Sequence, residues 1–276
     1  MALAALSLPW LVSALAVCIL AGSVAIYSQL FTRLREAGGR VETAGLELPD
    51  LLVSFVLAST FAGLVAAAIL KTAEPAVATD VSQVLPGSVM FLVIVAGLIG
   101  FLRYRGLKLT ALFGLTRLSL LRVVGWAAML LVATFPLLAL LNVLTLKILG
   151  ADAEPQPLVQ LFRDVARNQN YSAMATIFAA GVVIAPMCEE ILFRGYFYPV
   201  GKRYLGPWIS GALTAILFGA FHANLASLPG LTLLAVAFTL AYERTGSLLV
   251  PIGMHALFNA TSLAILYFQA TGALPT

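Results

Sequence analysis

Six side chains in the second half of this chain have types and spacings suited to chemistry on a peptide or ester bond. They are Glu189, Glu190 and Arg194 in "EEILFR", His222 at the end of "FGAFH", and His255 and Asn259 in "HALFN". A carboxylate can take a proton from water when its pKa and position suit the step. An imidazole can help hold that water, and a second imidazole with a carboxamide N–H can stabilise a developing oxyanion. Glutamate and histidine are also ligands that zinc accepts, with an activated water as the fourth ligand. The HExxH helix that usually presents such ligands is absent, and each candidate ligand stands in a different apolar segment. Metal-free hydrolysis is the favoured assignment at this level, with a divalent metal such as zinc as the open alternative.

Helical spacing divides these groups into roles. Adjacent positions on a helix point about 100° apart, so Glu189 and Glu190 address different neighbours. Glu190 and Arg194 stand at i,i+4 with the acid N-terminal, the better order for a pair. That pairing leaves Glu189 free to face a cavity. His255 and Asn259, also at i,i+4, project from one helix face. Cys188 adjoins the acids, but its apolar setting disfavours the thiolate that nucleophilic attack needs. The aromatic run "FRGYFY", 193–198, reads as a packing face or an interface belt.

The elements that must position these groups are membrane spans. The chain has 276 residues, 61% hydrophobic and only 10% charged, against about 25% charged in soluble domains. About 20 apolar residues cross the hydrocarbon core, and charges mark eight such stretches. They run over residues 8–31, 51–70, 84–102, 123–146, 172–200, 207–223, 228–242 and 247–269. The expected class is therefore all-α, a polytopic membrane helix bundle embedded in lipid. Residues 1–150 supply N-terminal transmembrane helices and 171–270 a second, functional bundle. Between the third and fourth spans, 106–122 has basic residues among leucines and reads as an interfacial amphipathic segment. Within the polar stretch 150–170, residues 157–168 read as a short surface helix.

The first apolar run lacks a basic leader and is too long for a signal-peptide core, so it is expected to be a retained helix. Cys18 and Cys188 form no disulfide framework. A net charge of +4 suggests no nucleic-acid partner. Basic residues crowd the odd-numbered loops, around Arg33–Arg40, Arg103–Arg122, Lys202–Arg203 and Arg244, with few in the even ones. The positive-inside rule places the odd loops in the cytoplasm, and the cell membrane is the expected location.

An ionisable group at the centre of a spanning helix costs about 2.5–3.5 kcal/mol on insertion scales and marks a functional site by default. Counting from Lys202, Pro207 and Gly246 at 1.5 Å per residue puts Glu189, His222 and Asn259 at ~20–22 Å along their helices. Structural packing explains a single buried histidine or Glu–Arg pair better than it explains acids, imidazoles and an amide at matched depth. A proton or ion relay in a transporter would use the same groups, but the chain shows no inverted repeat.

In order, "EEILFR", "FGAFH" and "HALFN" match EExxxR, FxxxH and HxxxN, and the chain here resembles the CPBP family. These are the CAAX proteases and bacteriocin-processing proteins, also called the Abi family. The resemblance implies an all-helical intramembrane endopeptidase acting on a membrane-associated protein or peptide. It implies Glu189 as general base, His222 as its partner on water, and His255 with Asn259 as oxyanion hole. Glu190 and Arg194 complete the first motif. Some members of that family are linked instead to scaffolding or bacteriocin self-immunity, which is the alternative expectation.

Overall fold

The computed structural model describes residues 2–71, 80–150 and 156–275. Residues 151–155 of the polar stretch 150–170 lie outside the described residues. The N-terminal part comprises α1 (Ala2–Ala37), α2 (Leu48–Lys71), α3 (Val81–Tyr104), the single turn α4 (Leu109–Leu112) and α5 (Leu120–Leu149). Then come α6 (Pro157–Arg167), α7 (Tyr171–Phe178), α8 (Ala185–Leu192), α9 (Tyr198–Phe221), α10 (Leu228–Thr245) and α11 (Leu249–Ala270). Among the described residues 6 helical stretches are long and apolar enough to cross a membrane. The chain is an integral membrane protein built from helices.

The longest of these stretches, Tyr171–Phe221 with 51 residues, joins α7, α8 and α9 and is really two arms. Gly206, at φ 79° and ψ 167°, takes a conformation essentially reserved for glycine. Pro207 then starts the second arm, where its missing N–H costs nothing. The reversal shows in one contact: Ser210 Oγ donates to Tyr198 O at 2.8 Å, although 12 residues of straight helix would separate them by ~18 Å. Counting the two arms separately and adding α10, with 18 residues, gives the eight apolar segments expected from the sequence.

Two wide π-helical stretches, Ala179–Ile184 and Phe193–Phe197, link α7 to α8 and α8 to α9. Each runs into a helix with proline in its first turn, Pro186 and Pro199. Proline lacks the N–H of the regular ladder and crowds the preceding turn, and a π-bulge is one way a helix absorbs that. The acids and Arg194 thus sit on and between two such bulges.

The core draws on both halves of the chain. One cluster packs Phe61, Leu102, Leu112 and Phe113 against Phe193, Tyr196, Phe218 and Leu248. Another joins Leu30, Ala127, Leu130 and Leu131 to Leu234, Phe238, Val250 and Met254. The run "FRGYFY" is wholly buried, so its aromatics are core rather than an interface belt. Helix α6 is amphipathic: Phe162, Val165 and Ala166 face α7 and α11, while Arg163, Asp164 and Arg167 stand on its other side.

Residues 106–122 fold as the turn α4, a run of further turns and the start of α5. Leu112 and Phe113 are buried in the bundle. Leu248 N donates to Phe113 O at 2.9 Å, and Tyr242 Oη donates to Leu112 O at 2.9 Å. This loop therefore caps the turn between α10 and α11. Gly246, at φ 67°, ends α10 in the left-handed region, where glycine is favoured.

Candidate active site

The passage from α8 into the second π-helical stretch brings Glu190 and Arg194 together as their spacing predicts. Arg194 Nη1 donates to Glu190 Oε1 at 2.9 Å, with side chains 1% and 0% exposed. Arg194 Nη2 donates to Ala235 O of α10 at 3.1 Å. Its guanidinium carbon lies 4.6 Å from the Phe218 ring centre and 5.2 Å from that of Phe238. Such faces attract a desolvated cation by up to about 2 kcal/mol. One carboxylate, one carbonyl and two aromatic faces make this charge tolerable inside the bundle.

The same Oε1 of Glu190 also meets His255 Nδ1 at 3.0 Å. A carboxylate there can only accept, so His255 carries its proton on Nδ1 and leaves Nε2 bare while neutral. That Nε2 lies 3.9 Å from Glu189 Oε2. The gap is too long for a hydrogen bond. The Phe238 ring stacks on the imidazole at 5.2 Å and 28°, which fixes its plane. Among buried side-chain atoms, Glu189 Oε2, Glu190 Oε2 and Arg194 Nε have no hydrogen-bond partner.

His222 ends α9 as its cap residue. Its Nδ1 donates to Phe218 O at 3.0 Å, leaving Nε2 available. The Phe218 ring stands 5.2 Å from His222 and 5.7 Å from His255, so the two imidazoles flank one phenyl group. Asn259 Nδ2 donates to Gly181 O in the first π-helical stretch at 2.7 Å, and its second amide hydrogen remains for another acceptor.

Helix counting from Gly246 as a surface residue puts Asn259 level with the acids, but it is His255 that meets Glu190, and Asn259 meets Gly181. Gly246 and Leu248 instead sit beneath the 105–118 loop, so α11 starts deeper and its first motif residue meets Glu190.

Zinc would need donors converging on one point. Glu190 Oε1 and His255 Nδ1 are committed to each other and to Arg194. Among the described residues no three His, Cys, Asp or Glu side chains converge as a ligand set. The donor set facing the gap is one carboxylate oxygen and one imidazole nitrogen, short of the three protein ligands usual at a catalytic zinc.

A second polar cluster at the basic end escaped the sequence reading. Glu243, with no exposed side-chain surface, accepts from Lys202 Nζ at 2.6 Å, from the Tyr198 hydroxyl, and from Val41 N at 3.1 Å. Arg40 N donates to Glu243 O at 3.0 Å, and Lys202 Nζ also reaches Val41 O at 3.1 Å. The segment after α1 is thereby tied to both α9 and α10. A glutamate beside Arg244 at the end of an apolar run was the available signal. Nearby, Asp50 is fully buried, pairs with Arg105 at 3.2 Å and offers its backbone carbonyl to Tyr196 Oη at 2.9 Å.

Comparisons with known proteins bear on these helices. Residues 171–261 match the family model described as Type II CAAX prenyl endopeptidase Rce1-like. A protein of Escherichia coli named "Uncharacterized 24.3 kDa protein" is 35% identical over 126 residues, covering 44% of this chain and 55% of that protein. A protein of Bacillus subtilis (strain 168) named "Putative membrane peptidase YdiL" is 30% identical over 77 residues, covering 28% of this chain and 32% of that one. The chain thus spans about half or less of the length of these relatives. No solved structure matches. The likeness to the CPBP family carried by the three motifs holds over the matched residues.

Proposed function

We propose, from the family matched over residues 171–261, that this chain is an intramembrane endopeptidase cleaving a membrane-associated protein or peptide. The observation that carries the mechanism is the 3.9 Å gap between Glu189 Oε2 and His255 Nε2. Both atoms are acceptors when the imidazole is neutral with its proton on Nδ1. A water that parts them slightly donates one O–H bond to each and points a lone pair outward. That lone pair attacks the scissile carbonyl carbon, and Glu189 takes the proton released.

Glu190 acts on the reaction through His255. It holds Nδ1–H, and Arg194 balances its charge. The remaining N–H of Asn259 serves the oxyanion. Glu189 then gives that proton to the leaving amine, and His222, half-buried at the end of α9, accepts a hydrogen bond from the amine through its free Nε2. These steps use only groups of the chain, and the reading is metal-free. It departs from the roles that the family resemblance implies in giving His255 the water and His222 the leaving group.

The test compares protein termini in cells expressing the native chain or Glu189→Ala. Membrane-associated proteins whose termini appear only with the native chain support hydrolysis, and purified protein in lipid should cut the same peptides. A Glu189→Ala variant that folds and still cleaves would remove the proposal.

A further inference from the structure

Asn259 is held by an acceptor that a regular helix would not offer. A carbonyl inside an α-helix accepts from the N–H four residues on, and inside a π-helix from the N–H five residues on. Ala185 N–H, four residues after Gly181, donates instead to Ala180 O. The residue five after Gly181 is Pro186, in the first turn of α8, and proline has no N–H. The π-helical stretch and the proline together take both ladder donors away from Gly181 O.

A backbone carbonyl turned away from water needs another partner. Gly181 is half-buried, and α11 packs against this stretch. Asn259 supplies the donor: its Nδ2 meets Gly181 O at 2.7 Å, across 78 positions of sequence.

That bond does more than join two helices. A carboxamide presents two donors at one end and an acceptor at the other, and the two ends have nearly the same shape. Turned over, Asn259 would set its Oδ1 against Gly181 O, two acceptors with no hydrogen between them. The carbonyl therefore selects the orientation in which one N–H is anchored, and the coplanar second N–H takes a fixed direction. A donor fixed in advance costs no reorganisation when negative charge develops before it.

We infer that Pro186 is a positioning residue for the reaction: by leaving Gly181 O without a ladder donor, it makes that carbonyl the anchor that orients the Asn259 amide. Glu189 and Glu190 follow on the same short helix, so the proline that opens the acids' helix also orients an amide brought in by α11. The anchoring stands on geometry alone; its bearing on the rate rests on the hydrolase reading above.

Pro186→Ala and Pro186→Val test this, since both restore an N–H at position 186 and they differ in volume. In micelles, with asparagine selectively ¹⁵N-labelled, the Asn259 side-chain signal is identified by its loss in Asn259→Leu. In the native chain its exchange with heavy water should be at least about tenfold slower than that of exposed Asn168, and at least about tenfold faster again in both folded Pro186 variants. Their kcat should fall by about 10–10²-fold with KM little changed. In an Asn259→Leu background the same changes should lower kcat by no more than about twofold, because coupled sites do not add. Native exchange equal to that of Asn168, exchange unmoved by both variants, or kcat losses that multiply with that of Asn259→Leu overturn the proposal. A loss confined to Pro186→Ala also overturns it, as that marks lost packing. A native chain that cleaves nothing while its amide exchange responds as expected supports the anchor and refutes hydrolysis alone.

Discussion

Replacing Arg194 by methionine leaves Glu190, with 0% of its side chain exposed, without its cation. Removing one partner of a buried ion pair costs about 3–5 kcal/mol. Glu190→Gln creates the converse problem, a guanidinium enclosed by Phe218, Phe238 and the Ala235 carbonyl, at a similar cost. Added independently, the two changes would remove roughly 6–10 kcal/mol, most of the stability of an ordinary domain. Made together they delete both charges at nearly constant volume, a replacement that is often close to neutral. The double variant is therefore expected to lose no more than about 3 kcal/mol, a coupling of at least ~3 kcal/mol against the ~0.5 kcal/mol scatter of additive sites. Unfolding by SDS titration in mixed micelles, followed by helical circular dichroism, measures all four corners of the cycle. Additivity to within about 1 kcal/mol would refute the enclosed pair. Turnover separates the positioning role: the refolded double variant should remain at least about tenfold slow, because the group facing His255 Nδ1 is no longer a carboxylate.

Glu243→Ala should destabilise by about 3–5 kcal/mol in the same titration, because it strands Lys202 with half its bonding; a loss under about 1 kcal/mol would contradict the lock at the basic end. Asn259→Leu should lower kcat by about 10²–10³ with KM little changed if the amide serves the oxyanion, and steady-state kinetics that show only a KM effect would count against that role. Turnover of purified protein should survive a strong chelator, whereas a loss reversed by added zinc would contradict the metal-free reading.

How much of this was legible follows from which interactions are local. The Glu190–Arg194 pair sits at i,i+4 within one helix, so spacing alone revealed it. The reversal at Gly206 was visible as a basic cluster followed by Gly-Pro, and the face of α6 as Phe162, Val165 and Ala166 at helical spacing. The meeting of His255 with Glu190 depends on the register between α8 and α11. That register is set by Leu248 lying under Phe113, a contact between residues 135 positions apart in the sequence. The bond from Val41 to Glu243 is equally remote, across 202 positions, and no local pattern announces it. The π-helical stretches were hidden because their residues are ordinary helix formers apart from a glycine in each and the prolines that follow.

The central claim is that Glu189 takes a proton from a water it shares with His255. The most direct measurement is single-turnover cleavage, by native protein and Glu189→Gln in proteoliposomes, of the peptides found by the terminus comparison. Loss of at least about 10²-fold in rate, with unfolding by SDS unchanged or slightly more difficult because a buried orphan oxygen has lost its charge, is the predicted result. Cleavage by folded Glu189→Gln at the native rate would contradict it.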